Sequence, residues 1–110
     1  MLATVNDFLN LDIRVGAIVE AETFEHAVKP AYKLKVYLGE EIGIKKSSAQ
    51  LTQSYKVEEL IGKQVLAIVN FTPKQISDYL SEVLVLGTYS EQGIVLVTPD
   101  MPVKNGDKLG

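Results

Sequence analysis

The residues that most often carry catalysis or bind metals are scarce in this chain. It contains one histidine, His26, and no cysteine. A nucleophile needs a base held beside it, whereas His26 lies in a charged, loop-like segment where a solvated histidine is the common interpretation. The adjacent pairs Glu40-Glu41 and Glu58-Glu59 are typical of solvated turns and helices, and no phosphate-binding loop, dinucleotide fingerprint or zinc-protease motif occurs. We therefore predict a protein that is not an enzyme and holds no cofactor or metal.

Lysines offer a first candidate binding surface. Lys33 and Lys35 share one face of a predicted strand with Tyr37, and Lys45 and Lys46 follow on the next strand. On such a surface lysines can meet phosphates or acidic groups, and an aromatic ring can stack on a base. Lysines also protect exposed strands from aggregation, so the pattern leaves a binding and a protective role open.

The segment 70–80 offers a second candidate surface. A predicted strand ends in Phe71, the chain turns at Pro73, and Ile76 and Tyr79 follow within a few residues, with Lys74 beside them. Loops are usually more polar than this, so the cluster indicates an apolar cleft with a cationic lip. Each apolar residue taken singly could equally plug the end of a barrel.

Composition limits the partners. The chain has 110 residues, a net charge of −3 and a pI of about 5.1, whereas affinity for duplex nucleic acid usually rests on an excess of Lys and Arg. The opening sequence MLATVNDFLN lacks the features of a signal peptide, and no run approaches the roughly 20 apolar residues of a membrane span. We expect a single domain over residues 1–110, soluble and cytoplasmic, with no membrane insertion.

The periodicity predicts mostly strands. Residues 11–24 alternate between apolar and polar side chains over an unusual length, and Gly16 within them predicts a bulge or sharp bend. Ser47 and Gln50 match a capping box, which predicts a short helix, followed by another turn at 57–61 that Gly62 ends. Further strands are predicted at 32–38, 42–47, 64–71, 83–86 and 94–97, with a tight turn at 105–106. In the strand at 42–47, Ile42 and Ile44 are predicted to point inward and Lys45 to lie on the opposite face.

Three strands, a helix and further strands are the order of an OB-fold. This fold is an all-β, five-stranded Greek-key barrel with a short helix between strands 3 and 4, and it binds extended ligands on the face of strands 2 and 3. The order predicts this fold, although other small barrels share much of it.

Three predicted strands are apolar on both faces, at 65–69, 83–86 and 94–97. A strand buried on both sides needs a second covering layer, which one short helix and a small barrel interior cannot supply. A second copy of the chain can supply it through a two-fold contact. We therefore predict a homodimer, with extra terminal elements of the chain forming the dimer interface.

Five segments, taken together and in order, resemble the CsaA-type secretion chaperones. They are LDIRVG at 11–16, IKKSSAQ at 44–50, VNFTPK at 69–74, SEVLVLG at 81–87 and NGDKLG at 105–110. The resemblance spans essentially the whole chain. The wider family is the tRNA-binding OB domain found at the C-terminus of many methionyl-tRNA synthetases and as free-standing dimers. Its D-x-R-V-G pattern is matched at 12–16 and its N-x-x-P-K turn at 70–74.

The resemblance to CsaA implies an OB-fold homodimer that binds unfolded precursor proteins and the SecA export ATPase without an ATP site of its own. Two copies in a dimer would add avidity to weak, permissive sites. The peptide-binding residues predicted from the apolar cleft are Phe71, Pro73, Ile76 and Tyr79.

The wider family implies an alternative, a free-standing tRNA-binding protein. Its late S-x-G-M-L-L segment is important for tRNA contact; here Ser81 fits, but Val83 stands in place of the glycine and Leu84 in place of the methionine. These changes remove backbone freedom and an adaptable contact and, with the acidic pI, favour the chaperone. The nucleic-acid-binding residues of the alternative are Arg14, Lys33, Lys35, Lys45, Lys46, Asn70, Lys74, Ser81 and Leu84.

Overall fold

The structure is a computed structural model that describes residues 1–110. Short helices and strands alternate along the chain. The helices are α1 (Val5–Leu9), α2 (Gly39–Ile42) and α3 (Val57–Leu60). The strands are β1 (Ile13–Thr23), β2 (Tyr32–Tyr37), β3 (Ile44–Ala49), β4 (Gln64–Ile68), β5 (Lys74–Ile76), β6 (Tyr79–Ser81), β7 (Leu84–Val85), β8 (Gly87–Ser90) and β9 (Gly93–Leu96).

Five antiparallel strands form a nearly closed barrel in the order β3-β2-β1-β4-β7. The barrel closes where the backbone amides of Glu82 and Val83 donate to the Lys46 carbonyl at 2.8 and 3.2 Å. The α3 turn lies between β3 and β4, and Gly62 follows it with φ of +89°. This order confirms the predicted OB-fold.

Strand β1 serves two neighbours because it changes partner along its length. Its first half pairs with β4 and its second half with β2. The bulge predicted at Gly16 lies instead between Ile18 and Glu20. Ile18, before the bulge, pairs with the core residue Val36, and Ala21, after it, pairs with the core residue Leu34, so both face the barrel interior and Val19 is exposed. Gly16 is required for close packing, because a Cβ there would lie 2.6 Å from a methyl group of Val36.

The barrel interior holds the main core, and a smaller apolar cluster lies apart from it. The main core contains Ile18, Tyr32, Leu34, Val36, Leu38, Leu51, Leu60, Val65, Ala67 and Val83. The smaller cluster contains Ile13, Val15, Leu66 and Ile68, with Leu86 and Val97 packed against it. Strand β4 is therefore buried on both faces, as predicted. Leu84 and Val95, on the other two strands, remain 45% and 37% exposed.

Two predictions for the β3 region are wrong. The residues of the predicted capping box continue the strand to Ala49, because the pairing of β3 with β2 runs that far and supplies the backbone hydrogen bonds that a helix would otherwise make. The predicted faces are also reversed. Lys45 pairs with the core residue Val36 and shares its face, whereas Ile44, predicted to point inward, is 56% exposed.

Segments outside the barrel are more ordered than the sequence predicts. The expected irregular loop after Phe71 contains the β5–β6 hairpin, and β8 pairs with β9 in a second hairpin. The turn at 105–106 is confirmed, with Gly106 at φ +98°. We call residues 104–109 the closing segment, because the Gly106 and Leu109 amides donate to the Val15 and Ile13 carbonyls of β1 at 2.7 and 2.8 Å.

Candidate functional site

The β5–β6 hairpin is attached to the barrel through Tyr79. The Tyr79 hydroxyl donates to the Leu34 carbonyl of β2 at 2.8 Å. Its ring meets the Phe24 ring edge-to-face, with 5.6 Å between the centroids. Phe24 directly follows the last residue of β1 and is almost fully buried. The hairpin therefore lies against the strand 2 and 3 region, where OB-folds bind extended ligands.

Two lysines share the Tyr79 ring. The Lys33 and Lys46 ammonium groups each lie 5.3 Å from its centroid, and Lys33 also lies 5.0 Å from the Phe24 centroid. At these distances each ammonium is attracted to the ring faces. Neither forms an ion pair with a carboxylate; among the lysines only exposed Lys35 does so, with Glu20 at 3.0 Å. We call Phe24, Lys33, Lys46 and Tyr79 the aromatic–lysine cluster.

Carboxylates surround this cluster and balance its charge. Glu22 is the cross-strand partner of Lys33, and Glu82 accepts a hydrogen bond from the Lys46 backbone amide at 3.0 Å. Burial, followed by the negative charges of Glu22, Glu82 and Glu20, raises the pKa of Tyr79 to about 12. The surface is therefore not a uniformly basic patch that attracts a polyanion from a distance.

The raised pKa of Tyr79 sets an alkaline limit on stability. The pKa rises from 10.0 to about 12 on folding, so the neutral hydroxyl is favoured in the folded state. Its contribution is complete below pH 10 and is lost as the pH rises through 12. Absorbance of tyrosinate should show one of the five tyrosines ionising near pH 12, and Tyr79→Phe should remove that step. Ionisation of Tyr79 near pH 10 in the folded protein would contradict the prediction.

The predicted apolar cleft is only partly assembled. Ile76 and Tyr79 are direct partners across the β5–β6 hairpin and share a face. Phe71 is 45% exposed and Pro73 is also exposed, both before the hairpin begins. The arrangement is an open surface beside the aromatic–lysine cluster and not a deep pocket. The two surfaces proposed separately from the sequence meet at Tyr79.

Three residues predicted to contact nucleic acid make hydrogen bonds within the chain. The Asn70 amide accepts from the Asp12 backbone amide and donates to the Asn10 carbonyl, both at 2.8 Å. The Ser81 hydroxyl accepts from the Ser48 amide at 3.0 Å and helps to close the barrel. Arg14 binds the carboxylate of Asp12 through two nitrogens, and this contact lowers the pKa of the Asp12 carboxyl.

The other predicted lysines are dispersed. Lys45 lies on the face of Val36 and is separated by strand geometry from Lys46. Lys74 is exposed on β5, opposite Ser81. Leu84 is 45% exposed on β7. Of the predicted nucleic-acid set, the structure brings Lys33, Lys35 and Lys46 together and leaves the rest apart.

A cavity of about 740 Å³ lies where the closing segment meets α2, which the sequence did not predict. Arg14 and Tyr37 line it from the barrel, and Glu40 and Glu41 from α2. The closing segment supplies Lys104 and Asp107. No sequence signal could have found it, because its walls come from three segments far apart in the chain.

No set of three or more His, Asp or Glu side chains is grouped closely enough to hold a metal ion. None of the helices has the length and apolarity that a membrane-crossing helix requires.

The sequence of the chain matches a known protein family over most of its length. Residues 13–108 match the family described as "Putative tRNA binding domain". The chain belongs to the tRNA-binding domain family. Relatives in this family include methionine–tRNA ligases of Leptospira biflexa, 38% identical over 106 residues, and Nanoarchaeum equitans, 39% identical over 108 residues. These matches cover 96% and 98% of this chain but 15% and 14% of the two ligases, so the chain spans a small part of their length.

Three solved structures match the chain over 99–100% of its length. The CsaA chaperone protein of Picrophilus torridus is 54% identical, with a TM-score of 0.95, and the match covers 99% of this chain and 100% of that one. The chaperone CsaA of Bacillus anthracis is 45% identical, with a TM-score of 0.93 and complete coverage of both chains. A protein of Pyrococcus horikoshii related to methionyl-tRNA synthetase is 25% identical, with a TM-score of 0.86, covering 100% and 99%. The resemblance to CsaA, found first in five sequence segments, is thereby confirmed.

The sequence predicted some of the cluster and missed the rest. Tyr79, Lys33 and Lys46 were predicted, but in two separate surfaces. Phe24 was missed, and its only signal was an apolar side chain at the end of the long alternating segment. The balancing role of Glu22 and Glu82 depends on strand pairing and contacts across the barrel closure, which a single sequence does not reveal.

Proposed function

We propose that the protein is an ATP-independent molecular chaperone that binds unfolded precursor polypeptides before export, and that it has no catalytic activity. The observation that carries the proposal is the end-to-end match, at 54% and 45% identity, with two proteins named as CsaA chaperones. The client would bind on the open apolar surface of Phe71, Pro73, Ile76 and Tyr79. The resemblance to CsaA also makes the SecA export ATPase a partner in this proposal, with a cytoplasmic location.

The proposal includes a homodimer. Helix α1 has no buried residue, and its Val5 and Leu9 are 74% and 61% exposed. Exposed apolar groups of this kind commonly mark an interface, and Leu84 on the barrel and Val95 on the β8–β9 hairpin add to them. A two-fold contact between copies would cover both sets. Sedimentation at micromolar concentration should give twice the mass of one 12.1 kDa chain.

A tRNA-binding protein is the alternative function. Membership of the tRNA-binding domain family and the methionine–tRNA ligase relatives support it. The carboxylates around Lys33 and Lys46 count against it, because they offset the positive charge that phosphate binding requires. The use of Arg14, Asn70 and Ser81 in contacts within the chain also counts against it.

A paired binding experiment separates the two functions. If the client binds the apolar surface, Phe71→Ala should weaken capture of an unfolded polypeptide by about 1–3 kcal/mol, the cost of removing an aromatic anchor. Lys45→Ala and Lys46→Ala should act mildly and mainly at low salt. If the ligand is tRNA, the lysine substitutions should weaken binding more than Phe71→Ala does. Each lost phosphate contact should then lower the slope of log affinity against log salt concentration by about one.

Tyr89→Ala is the matched control, because Tyr89 is an exposed aromatic on β8, 96% accessible and outside the proposed surface. Thermal unfolding of each variant must accompany the binding data, since Phe71 could also stabilise the barrel. If Phe71→Ala stays folded and captures the client as well as Tyr89→Ala does, the proposed binding surface is wrong.

A further inference from the structure

One dipeptide of the closing segment is capable of a spontaneous reaction. Of the four asparagines in the chain, only Asn105 is followed by glycine. A glycine has no side chain to shield its backbone nitrogen and reaches conformations that other residues do not, so this nitrogen can attack the side-chain amide of the asparagine before it. Asparagine counts among the thermolabile residues of proteins. The dipeptide at 105–106 is therefore where an unfolded form of this chain should lose an amide group fastest.

The reaction needs only water. The Gly106 backbone nitrogen gives up its proton and attacks Asn105 Cγ, the bond from Cγ to Nδ2 breaks, and Nδ2 leaves as ammonia with that proton. The product is a succinimide ring. One water molecule then opens the ring at either carbonyl carbon, which leaves aspartate or isoaspartate at position 105. In isoaspartate the main chain runs through the former side chain and is longer by one carbon.

The fold holds both reacting groups. The Gly106 nitrogen donates to the Val15 carbonyl of β1 at 2.7 Å, and Asn105 Oδ1 accepts from Gln64 Nε2 at 2.9 Å. Arg14 Nη1 also donates to the Gly106 carbonyl at 3.1 Å. A nitrogen that faces a carbonyl oxygen cannot lose its proton without placing two acceptors against each other. Attack therefore requires the bonds to Val15 and Gln64 to break together.

Packing fixes the turn that contains the dipeptide. Residues 104–107 form a turn whose last amide donates to its first carbonyl at 3.1 Å, and Gly106 within it has φ of +98°. The start of α2 lies directly against this turn, since a Cβ at Gly39 would be 2.6 Å from the Asn105 carbonyl oxygen. The backbone rotation that brings the Gly106 nitrogen to Asn105 Cγ is thus prevented while the closing segment lies on the barrel.

We propose that Asn105-Gly106 is a protected deamidation site, which stays intact while the closing segment lies on β1 and reacts when that segment separates. Gln64 holds Val103 on one side of the site, through bonds of 2.7 and 3.1 Å to its carbonyl and amide. On the other side Gly106 bonds to Val15. An extra main-chain carbon between these two attachments prevents both from keeping their geometry. The reaction therefore makes a reversible separation permanent.

The charge of the product acts in the same direction. Asn105 lines the cavity between α2 and the closing segment together with Glu40, Glu41 and Asp107. Deamidation adds a further carboxylate to these three, and like charges at short range repel. Aspartate, which leaves the main-chain length unchanged, should loosen the segment less than isoaspartate, which changes both the charge and the length.

The rate of deamidation in the folded and the unfolded chain tests the proposal. Peptide mapping by mass spectrometry, over a time course at mildly alkaline pH, should show Asn105 reacting on the order of a hundred-fold more slowly in the folded protein than in urea. That factor corresponds to two ordinary hydrogen bonds that must break together. Asn105→Gln identifies the site, because its longer side chain would have to close a larger ring and the signal should disappear. Equal rates in the folded and unfolded protein would reject the protection, and a signal that persists in Asn105→Gln would place the reaction elsewhere.

Gln64→Met tests the bond to the side chain. It keeps the length of the side chain but removes the amide that binds Asn105 and Val103. Deamidation in the folded protein should become faster on the order of ten-fold, because the open turn becomes more populated when these bonds are lost. Gln75→Met is the matched control, since Gln75 makes one exposed amide bond, to the Ser77 carbonyl. Equal rates in the two variants would reject the proposal, and if Gln64→Met does not fold, the comparison with urea decides.

Hydrogen exchange tests the permanent separation. The amides of Gly106 and Leu109, which donate to β1 in the intact protein, should exchange faster in the isoaspartate form than in the unmodified protein. Unchanged exchange at these two amides would show that the closing segment returns to the barrel after the reaction, which would contradict the proposal.

Discussion

Tyr79→Ala should lower the free energy of unfolding by about 2–4 kcal/mol, less than the roughly 3–5 kcal/mol for a fully buried aromatic side chain, because Tyr79 is only partly buried. Four contacts end on this side chain: the hydrogen bond to the Leu34 carbonyl, the edge-to-face contact with Phe24, and the two ammonium groups of Lys33 and Lys46. Without the ring, the hairpin loses its attachment to β2. Capture of an unfolded client should fall as well, because the apolar surface is carried by that hairpin.

Tyr79→Phe separates the ring from the hydroxyl. It keeps the aromatic contacts and loses one hydrogen bond, which should cost about 1 kcal/mol and leave client capture close to that of the wild-type protein. Urea unfolding gives the stabilities, and a binding titration with the unfolded client gives the capture. If the alanine variant were no less stable than the phenylalanine variant, the ring would not be what attaches the hairpin.

Strand β2 was predictable and β1 was only partly so. Tyr32, Leu34 and Val36 alternate with polar residues, and all three lie in the core, because β2 keeps one register along its whole length. Strand β1 shows the same alternation over twice the length, yet its even-numbered Ile18 faces the barrel core before the bulge at Val19 and its odd-numbered Ala21 faces it afterwards. A bulge adds one unpaired residue, and nothing in the residue types around Val19 marks it.

Ser47 shows why the capping-box signal failed. Hydroxyl and amide residues three apart stabilise a helix only when the backbone there has no other partner, and β2 supplies one. The strand then carries the Ser47 hydroxyl into the core, where it has no hydrogen-bond partner within the protein. Tertiary pairing overrides a local preference worth about 1 kcal/mol.

The roles of the motif residues depend on distant parts of the chain. Asn70 bonds to a backbone amide 58 residues away, and Arg14 to a carbonyl 92 residues away. Sequence motifs identified these residues as important but gave no partner for them, so their resemblance to a nucleic-acid-binding family determined the predicted role. Only the folded barrel brings the partners together, and it assigns the same side chains to internal contacts.

Gly39→Ala should destabilise the protein by about 2–6 kcal/mol, for two reasons that can be separated. Gly39 has φ of +89°, which costs a residue with a side chain about 1–3 kcal/mol. A Cβ would also lie 2.6 Å from the Asn105 carbonyl oxygen and 3.2 Å from the Gly106 Cα. Backbone cannot move aside as a flexible side chain can, so the contact should add about 1–3 kcal/mol and push the closing segment away from the barrel.

Gly62→Ala isolates the first of these effects. Gly62 has the same φ of +89°, but a Cβ there would meet nothing within 4 Å. The difference in unfolding free energy between the two variants therefore measures the contact between α2 and the closing segment. Equal stabilities for the two variants would mean that the closing segment packs less closely against α2 than the structure has it.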